Sequence, residues 1–396
     1  MTIIFLDPYL VRDISEYTDL RELYNTCSSL LKLKKNINYK LNRQYSLMYY
    51  NDVQFRNRVL EKIMNPQKHL HLHFNFYNEI IDVSMLGNVH TLILTRCNKI
   101  TNIKALKNIN TLNLSYNQIT DVSALSKVNT LILCRCYNIK NVSALGNVYS
   151  LNLSCCDKIT DVSALGNVRE LDLSYCSKIT DVSALGKVHS LNLSCCKITN
   201  FSALTNVYEL NLSSCRNITN VNALKNTHTL NLSGCDKITD VSVLGKVHNL
   251  NLSFCDKITD VSALGKVHDL NLSYCKKIID VSSLGNVHIL NLSNCNNITD
   301  VKELGKNHTL QLVYCKNIID VSSLGNVHTL DLSFCDKITD VSKLGKVNTL
   351  NLSFCYNIKD VSALGNVHNL ILNGCKNISS LSNANILSSK MQKSVF

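Results

Sequence analysis

LDLSYCSKITDVSALGKVHS, residues 171–190, decides the reading of this chain, because close variants of it recur along most of the 396 residues. Its inward candidates are Leu171, Leu173, Cys176, Ile179, Val182, Leu185 and Val188, spaced 2, 3, 3, 3, 3 and 3. A step of two fits a short strand, whose side chains alternate between faces, and steps of three fit tight turns or 3₁₀ pieces that keep returning to one axis. Asp181 stands where its carboxylate can cap the turn VSAL, and Gly186 permits a tight return into the next strand. One such unit cannot bury its apolar side alone. Stacked neighbours can, so the period predicts a continuous shared core.

Aligning the L-x-L pairs gives starts at Leu70, Leu92, Leu112, Leu131 and onward to Leu370, sixteen units mostly twenty residues apart. Two units are one residue short, at Asn117–Thr120 and Cys196–Thr199, and the first is longer and ragged in this alignment. Fourteen of the 18 cysteines share one column of the repeat, whereas Asn117 and, in this alignment, Asn75 take that place in the other two units.

The pattern, with Asn117 at the polar position, resembles the leucine-rich repeat LxxLxLxxN over residues 70–380. NQITDVSAL resembles the short repeats of the internalins, and the cysteine column resembles the cysteine-containing class common in F-box proteins. The resemblance implies an α/β leucine-rich-repeat solenoid: a parallel strand and a short 3₁₀ or helical return per unit, curved, spanning residues 66–380. Residues 381–396 are expected to form a closing cap or tail.

A buried thiol is a small apolar filler with a weak S–H donor, so packing is the favoured role of the column. Adjacent strands would bring thiols near one another, yet no C-x-x-C occurs and a thiol in a core is inert without a charge partner. Cys134, Cys155 and Cys195 are expected to point away from the core. A histidine column (His90, His189, His228, His248, His268, His288, His308, His328, His368) precedes the strands, and its imidazoles would repel one another if protonated. His69, His71 and His73 form the one local cluster that suggests a metal. No metal site or cofactor is expected from the pattern as a whole.

Strand alternation puts the residues flanking the paired leucines on an open concave face. An Asn column (Asn113, Asn152, Asn231, Asn251 and others) and a Ser column lie there as side-chain ladders or as a polar binding strip. Variation concentrates at Glu170, Asp172, Glu209, Asp269 and Asp331, and at Tyr116, Tyr175, Phe254, Tyr274, Tyr314, Phe334 and Phe354. Exposed aromatics on such a face are reasonable anchors for a protein partner. These twelve residues are the candidate partner-binding set.

A formal charge of +12 raises the question of nucleic acid, but Lys and Arg are spread through most repeats and alternate with Asp, as in DKITD. That distribution describes solvated faces rather than a nucleic-acid groove. The longest apolar runs are too short to span a bilayer, and the start MTIIFLDPYLVRDIS lacks a basic segment before a sustained apolar stretch. No membrane or secretory address is expected. Unpaired thiols in a column, with many N-x-S/T sequences, favour a reducing compartment, the cytoplasm.

Residues 1–65 do not repeat and are expected to be a small helical domain. Leu6, Pro8, Leu10, Ile14, Asp19, Leu20, Leu23, Thr26, Cys27 and Leu30 resemble an F-box, the helical module that binds Skp1 and brings a substrate receptor to a cullin ubiquitin ligase. Of these, Leu6, Pro8, Leu10, Ile14, Leu20, Leu23, Cys27 and Leu30 would dock on a Skp1-like adaptor. With its Asn/Ile/Lys-rich repetition, the chain resembles F-box/leucine-rich-repeat proteins of giant DNA viruses of amoebae, which implies a host-cell cytoplasm. The expected function is a non-enzymatic adaptor, with an unknown target held on the concave face. The alternative is a scaffold whose head only caps the repeats.

Overall fold

The computed structural model describes residues 3–5, 38–63 and 65–378. The proposed Skp1-docking residues Leu6, Pro8, Leu10, Ile14, Leu20, Leu23, Cys27 and Leu30 lie outside these ranges, as does the expected cap 381–396. The chain divides into two compact units, Met1–Asn192 and Leu193–Phe396.

Both units are built from the same short parallel strands and 3₁₀ returns. In the first, β1 (Ile3–Phe5) pairs with β2 (Asn38–Lys40) and β2 with β3 (Leu70–His73). The parallel ladder then runs through Thr91–Ile93 and its successors to Ser190–Asn192. In the second, it runs from Glu209–Asn211 to Asn369–Ile371. Consecutive strands keep a fixed register, such as Leu250 opposite Leu270 and Leu270 opposite Leu290. The sheet arises because each unit repeats the same inward pair and can bury it only against an identical neighbour.

The returns form as the spacing requires. Leu264 N–H donates to Val261 O at 2.9 Å, and Asp260 Oδ1 accepts from Ser262 N–H at 2.9 Å, so the aspartate of DVSAL closes the turn from one residue before it. Asp181 does the same for Ser183 at 2.8 Å. These bonds hold the exposed Asp181 and Asp260 carboxyls below the usual carboxylate range. The seven inward candidates of residues 171–190 are each at most 2% exposed. Glycine after the return has another cause than turn geometry: Gly166 is right-handed at φ −62°, but a Cβ there would collide with the Ala184 carbonyl of the following unit. In the two short units the missing residue removes the second turn after the strand.

The first repeat is in a different register from the one the leucines suggest. Leu72, not Leu70, lies opposite Leu92, and His71 lies opposite Thr91. A slip of two residues leaves every side chain on its own face, so the alternation HLHLH could not distinguish the two. The unit therefore has the ordinary length of twenty, and Tyr77 rather than Asn75 occupies the cysteine position. His69 ends the short helix Pro66–His69, so the three histidines do not alternate along one strand.

The segment expected to be a helical head contains β2, which continues the repeat sheet. Two helices follow, α1 (Arg43–Asn51) and α2 (Val53–Lys62), capped by Asn42 on Tyr45 N–H and by Asp52 on Phe55 N–H, each at 3.0 Å. The one-turn helix α3 (Pro66–His69) leads into β3. Ser46 of α1 donates to Leu41 O and accepts from His73 N–H at 3.0 Å, while Tyr50 meets the buried Phe74 edge-on at 6.1 Å. The helices thus join β2 in covering apolar surface at the first repeat, on the side where no further repeat precedes it.

Candidate protein-binding face

The cysteine column is a hydrogen-bond ladder. Cys176 Sγ donates to Leu153 O, one unit earlier, at 3.2 Å, and Cys255 and Cys275 repeat the bond to Leu232 and Leu252 at 3.3 and 3.1 Å. Asn117 reaches the equivalent carbonyl, Leu94 O, at 2.7 Å, and also Leu114 O at 2.8 Å. Its Oδ1, however, is buried without a partner. A thiol supplies the donor and leaves no such acceptor stranded, which gives cysteine a physical advantage in a column closed to water. Burial pushes the Cys176 and Cys275 thiols up to about 12, so they are protonated and unreactive. Cys134, Cys155 and Cys195 are half-buried, outside the column.

Among the described residues no three His, Cys, Asp or Glu side chains are arranged to hold a metal ion. Of the cluster at 69–73, His69 Nδ1 contacts Asn38 Oδ1 at 3.1 Å, and His71 faces the His90 ring at 5.3 Å. Desolvation, then the charges of His90, His73, Lys40 and His69, push the His71 imidazole down to about 4.

The strand face is narrower than the alternation implied. The Ser column is closed off: Ser174 is 6% and Ser253 5% exposed. The Asn column does not bond along the sheet but within each unit, with Asn251 Oδ1 accepting from Ser253 N–H at 3.0 Å and Asn271 Oδ1 from Ser273 N–H at 3.0 Å. With its Oδ1 turned to the Ser N–H of its own repeat, each Asn is aimed along its strand rather than at the next amide. Where an Asp replaces one Asn, a bond does cross to the next repeat: Asn152 Nδ2 donates to Asp172 Oδ2 at 3.2 Å and Asn351 Nδ2 to Asp331 Oδ2 at 3.0 Å. Glu170 and Glu209 are exposed; Asp172, Asp269 and Asp331 are half-buried.

The aromatic candidates share a backbone feature that their residue types hide. The residue two after the second leucine is left-handed in every unit, including Tyr116 (φ 63°), Tyr175 (61°), Phe254 (60°), Tyr274 (63°), Tyr314 (59°), Phe334 (62°) and Phe354 (58°). Bulky side chains rarely adopt this region, and among the described residues only Gly234, Gly374 and Asn294 are cheap choices here. The conformation lets the N–H of Tyr274 bond Ser293 O at 2.8 Å and that of Phe254 bond Ser273 O at 2.9 Å, which extends the ladder one residue past the strand. It also lays the rings over one another. In the second unit Phe254 stacks on Tyr274 at 4.3 Å, and Tyr314, Phe334 and Phe354 stack at 4.2 and 4.5 Å. Phe254 and Tyr274 remain 52% and 37% exposed.

The same column in the first unit holds residues that the sequence did not single out. Arg96 lies over Phe76 and Tyr116 at 5.0 and 4.6 Å, and Arg135 over Tyr116 at 5.2 Å. Their signal was position alone, since they occupy the column of the aromatics. Along the other edge of the second unit's strands, the rings of His228, His248, His268, His288, His308 and His328 stack at 4.6 to 4.8 Å, continued by Tyr208 at 4.5 Å. Desolvation first, then His328 and His288, lowers the His308 imidazole below its ordinary value.

No described helix is long and apolar enough to cross a membrane. A Leucine Rich repeat family profile matches residues 105–126 and 326–342. A search of curated proteins returned no match. Among solved structures, the functional domain of InlJ from Listeria monocytogenes, which includes a cysteine ladder, is similar at a TM-score of 0.51 and 23% identity, over 72% of this chain and 67% of that one. A TLR13–ssRNA13 complex gives 0.52 and 17%, over 81% and 58%. An internalin, InlF from Listeria monocytogenes, gives 0.45 and 26%, over 68% and 82%. The chain thus folds as a leucine-rich-repeat solenoid, and its repeat is the one that the family profile matches.

Proposed function

We propose that the chain is a non-enzymatic adaptor whose strand face holds a protein target and whose first residues dock on a Skp1-like subunit of a ubiquitin ligase. The observation that carries the target-holding part is the aromatic column. Large rings sit at positive φ, where they cost backbone energy, and stay open to solvent, where they add little to the core. Strain kept at exposed rings is consistent with selection for contact. The ligase part rests on the F-box resemblance of Leu6, Pro8, Leu10, Leu20 and their neighbours, and the cytoplasm, of a host cell if the chain is virus-encoded, follows from that reading.

The second reading is a scaffold whose first 65 residues only cap the repeats. It is favoured by α1, which packs against β3 through Ser46 and Tyr50. Full-length chain mixed with a purified Skp1-like protein separates the two. Binding lost on Leu10→Asp and Leu20→Asp supports the adaptor; no binding by the folded chain leaves the scaffold. Affinity purification of the native chain beside Tyr274→Asn and Phe334→Asn tests the face, which is expected to lose its partner in both variants.

A further inference from the structure

The strand face carries one sign of charge on a protein of the other sign. Of the side chains just before and between the paired leucines from Thr91 to Ile371, the charged ones are Glu170, Asp172, Glu209, Asp269 and Asp331, and none is Lys or Arg, although the chain has 41 of these and a net charge of +12. In the second unit the cations stand on the returns, where Lys225, Lys246 and Lys266 line an open cleft, and on the turns after the strands, as at Lys237, Lys257, Lys277 and Lys337, rather than on the strands themselves. Among the described residues, the ion pairs Lys99–Glu79 and Lys302–Asp300 do not involve these five acids. Glu209, Asp269 and Asp331 therefore have no ion-pair partner among the described residues, and Asp331 accepts only from the neutral Ser333 N–H and Asn351 amide, in the repeat whose Phe334 ring is stacked.

Those rings are suited to cations. Arg96 and Arg135 already lie over Phe76 and Tyr116 in the equivalent column of the first unit, so a guanidinium fits this backbone geometry. The second unit has the rings without the arginines, apart from Lys316 over Tyr314 at 5.9 Å. We propose that the strand face of the unit Leu193–Phe396 receives an arginine- or lysine-rich segment of a partner protein, with acids anchoring its charges and rings its side-chain planes. This rests on the protein-binding reading and narrows the partner to a basic segment.

The test is fluorescence anisotropy of the full chain with labelled nonaarginine, nonaglutamate and an uncharged Gly/Ser peptide. The net positive charge of the chain opposes nonaarginine, so its binding must be local. Expected is nonaarginine binding that weakens at least fivefold in Asp269→Asn/Asp331→Asn and in Tyr274→Asn/Phe334→Asn, and is unchanged in Lys266→Gln. Asparagine keeps the Ser333 bond of Asp331 and tolerates positive φ, so both variants are expected to fold, as circular dichroism will check. Nonaarginine binding no tighter than the Gly/Ser peptide, or equal in every variant, overturns the inference. Nonaglutamate binding that Tyr274→Asn/Phe334→Asn abolishes also overturns it, yet leaves the face a docking surface. If these ring substitutions also leave the affinity-purified partner bound, the protein-binding reading falls as well.

Discussion

Cys275 Sγ donates to the carbonyl of Leu252 at 3.1 Å, and the same Leu252 carbonyl accepts from Cys255 N–H at 3.2 Å. One oxygen thus ties two consecutive units, and the thiol is the link between them. Cys275→Ala removes that donor and leaves a small void. It is expected to lower stability by about 1–2 kcal/mol in urea titration, with an unchanged slope. An unchanged midpoint would remove the thiol bond from the account of stability.

Cys155 and Cys156 are adjacent in sequence and opposite in chemistry. Cys155 is half-buried in the left-handed column, while Cys156 is buried and donates to Leu133 O at 3.3 Å, with burial driving its thiol well above the ordinary range. Timed alkylation of the native protein, read by peptide mass spectrometry, should label Cys155 long before Cys156. Equal rates would mean that the column opens as readily as the surface.

Tyr274 has φ 63°, a conformation that asparagine accepts and a β-branched side chain resists. Both replacements lose the stack on Phe254, so the difference between them isolates the backbone. Tyr274→Val is expected to be about 1–2 kcal/mol less stable than Tyr274→Asn, although valine is the better strand former. Equal stabilities would show that the chain relaxes out of the left-handed region.

His71 has its Nε2 buried without a partner, and its imidazole is pushed down to about 4 in the folded chain. The unfolded chain, with an ordinary histidine, takes up a proton first as pH falls through about 6.5. The associated stability is therefore complete above about pH 6.5 and is lost progressively down to about 4. After allowance for its half exposure, the loss is about 1 kcal/mol. Thermal melts from pH 7.5 to 4.5 should fall less steeply in His71→Asn than in the native chain; parallel curves would assign the acid sensitivity elsewhere. His308 contributes in the same direction, with desolvation ahead of repulsion by His328 and His288 as the cause.

The repeat was readable from local spacing alone. Inward Leu, Cys, Ile and Val positions, the Asp or Asn that closes the returns and the one-residue gaps all follow from which side chains must reach one axis. The geometry of the exposed face was not, because it depends on the neighbouring unit. Tyr274 is held at positive φ by its N–H bond to Ser293 O, a force that leaves no mark on residue type when the usual glycine is absent. Asn251 and Asn271 turn their oxygens to the Ser N–H of their own repeats, and the first register needed Leu72 set against Leu92 to choose between two equivalent alternations. Periodicity determined which side chains are buried in this protein; contact between stacked copies decided how the exposed ones are aimed.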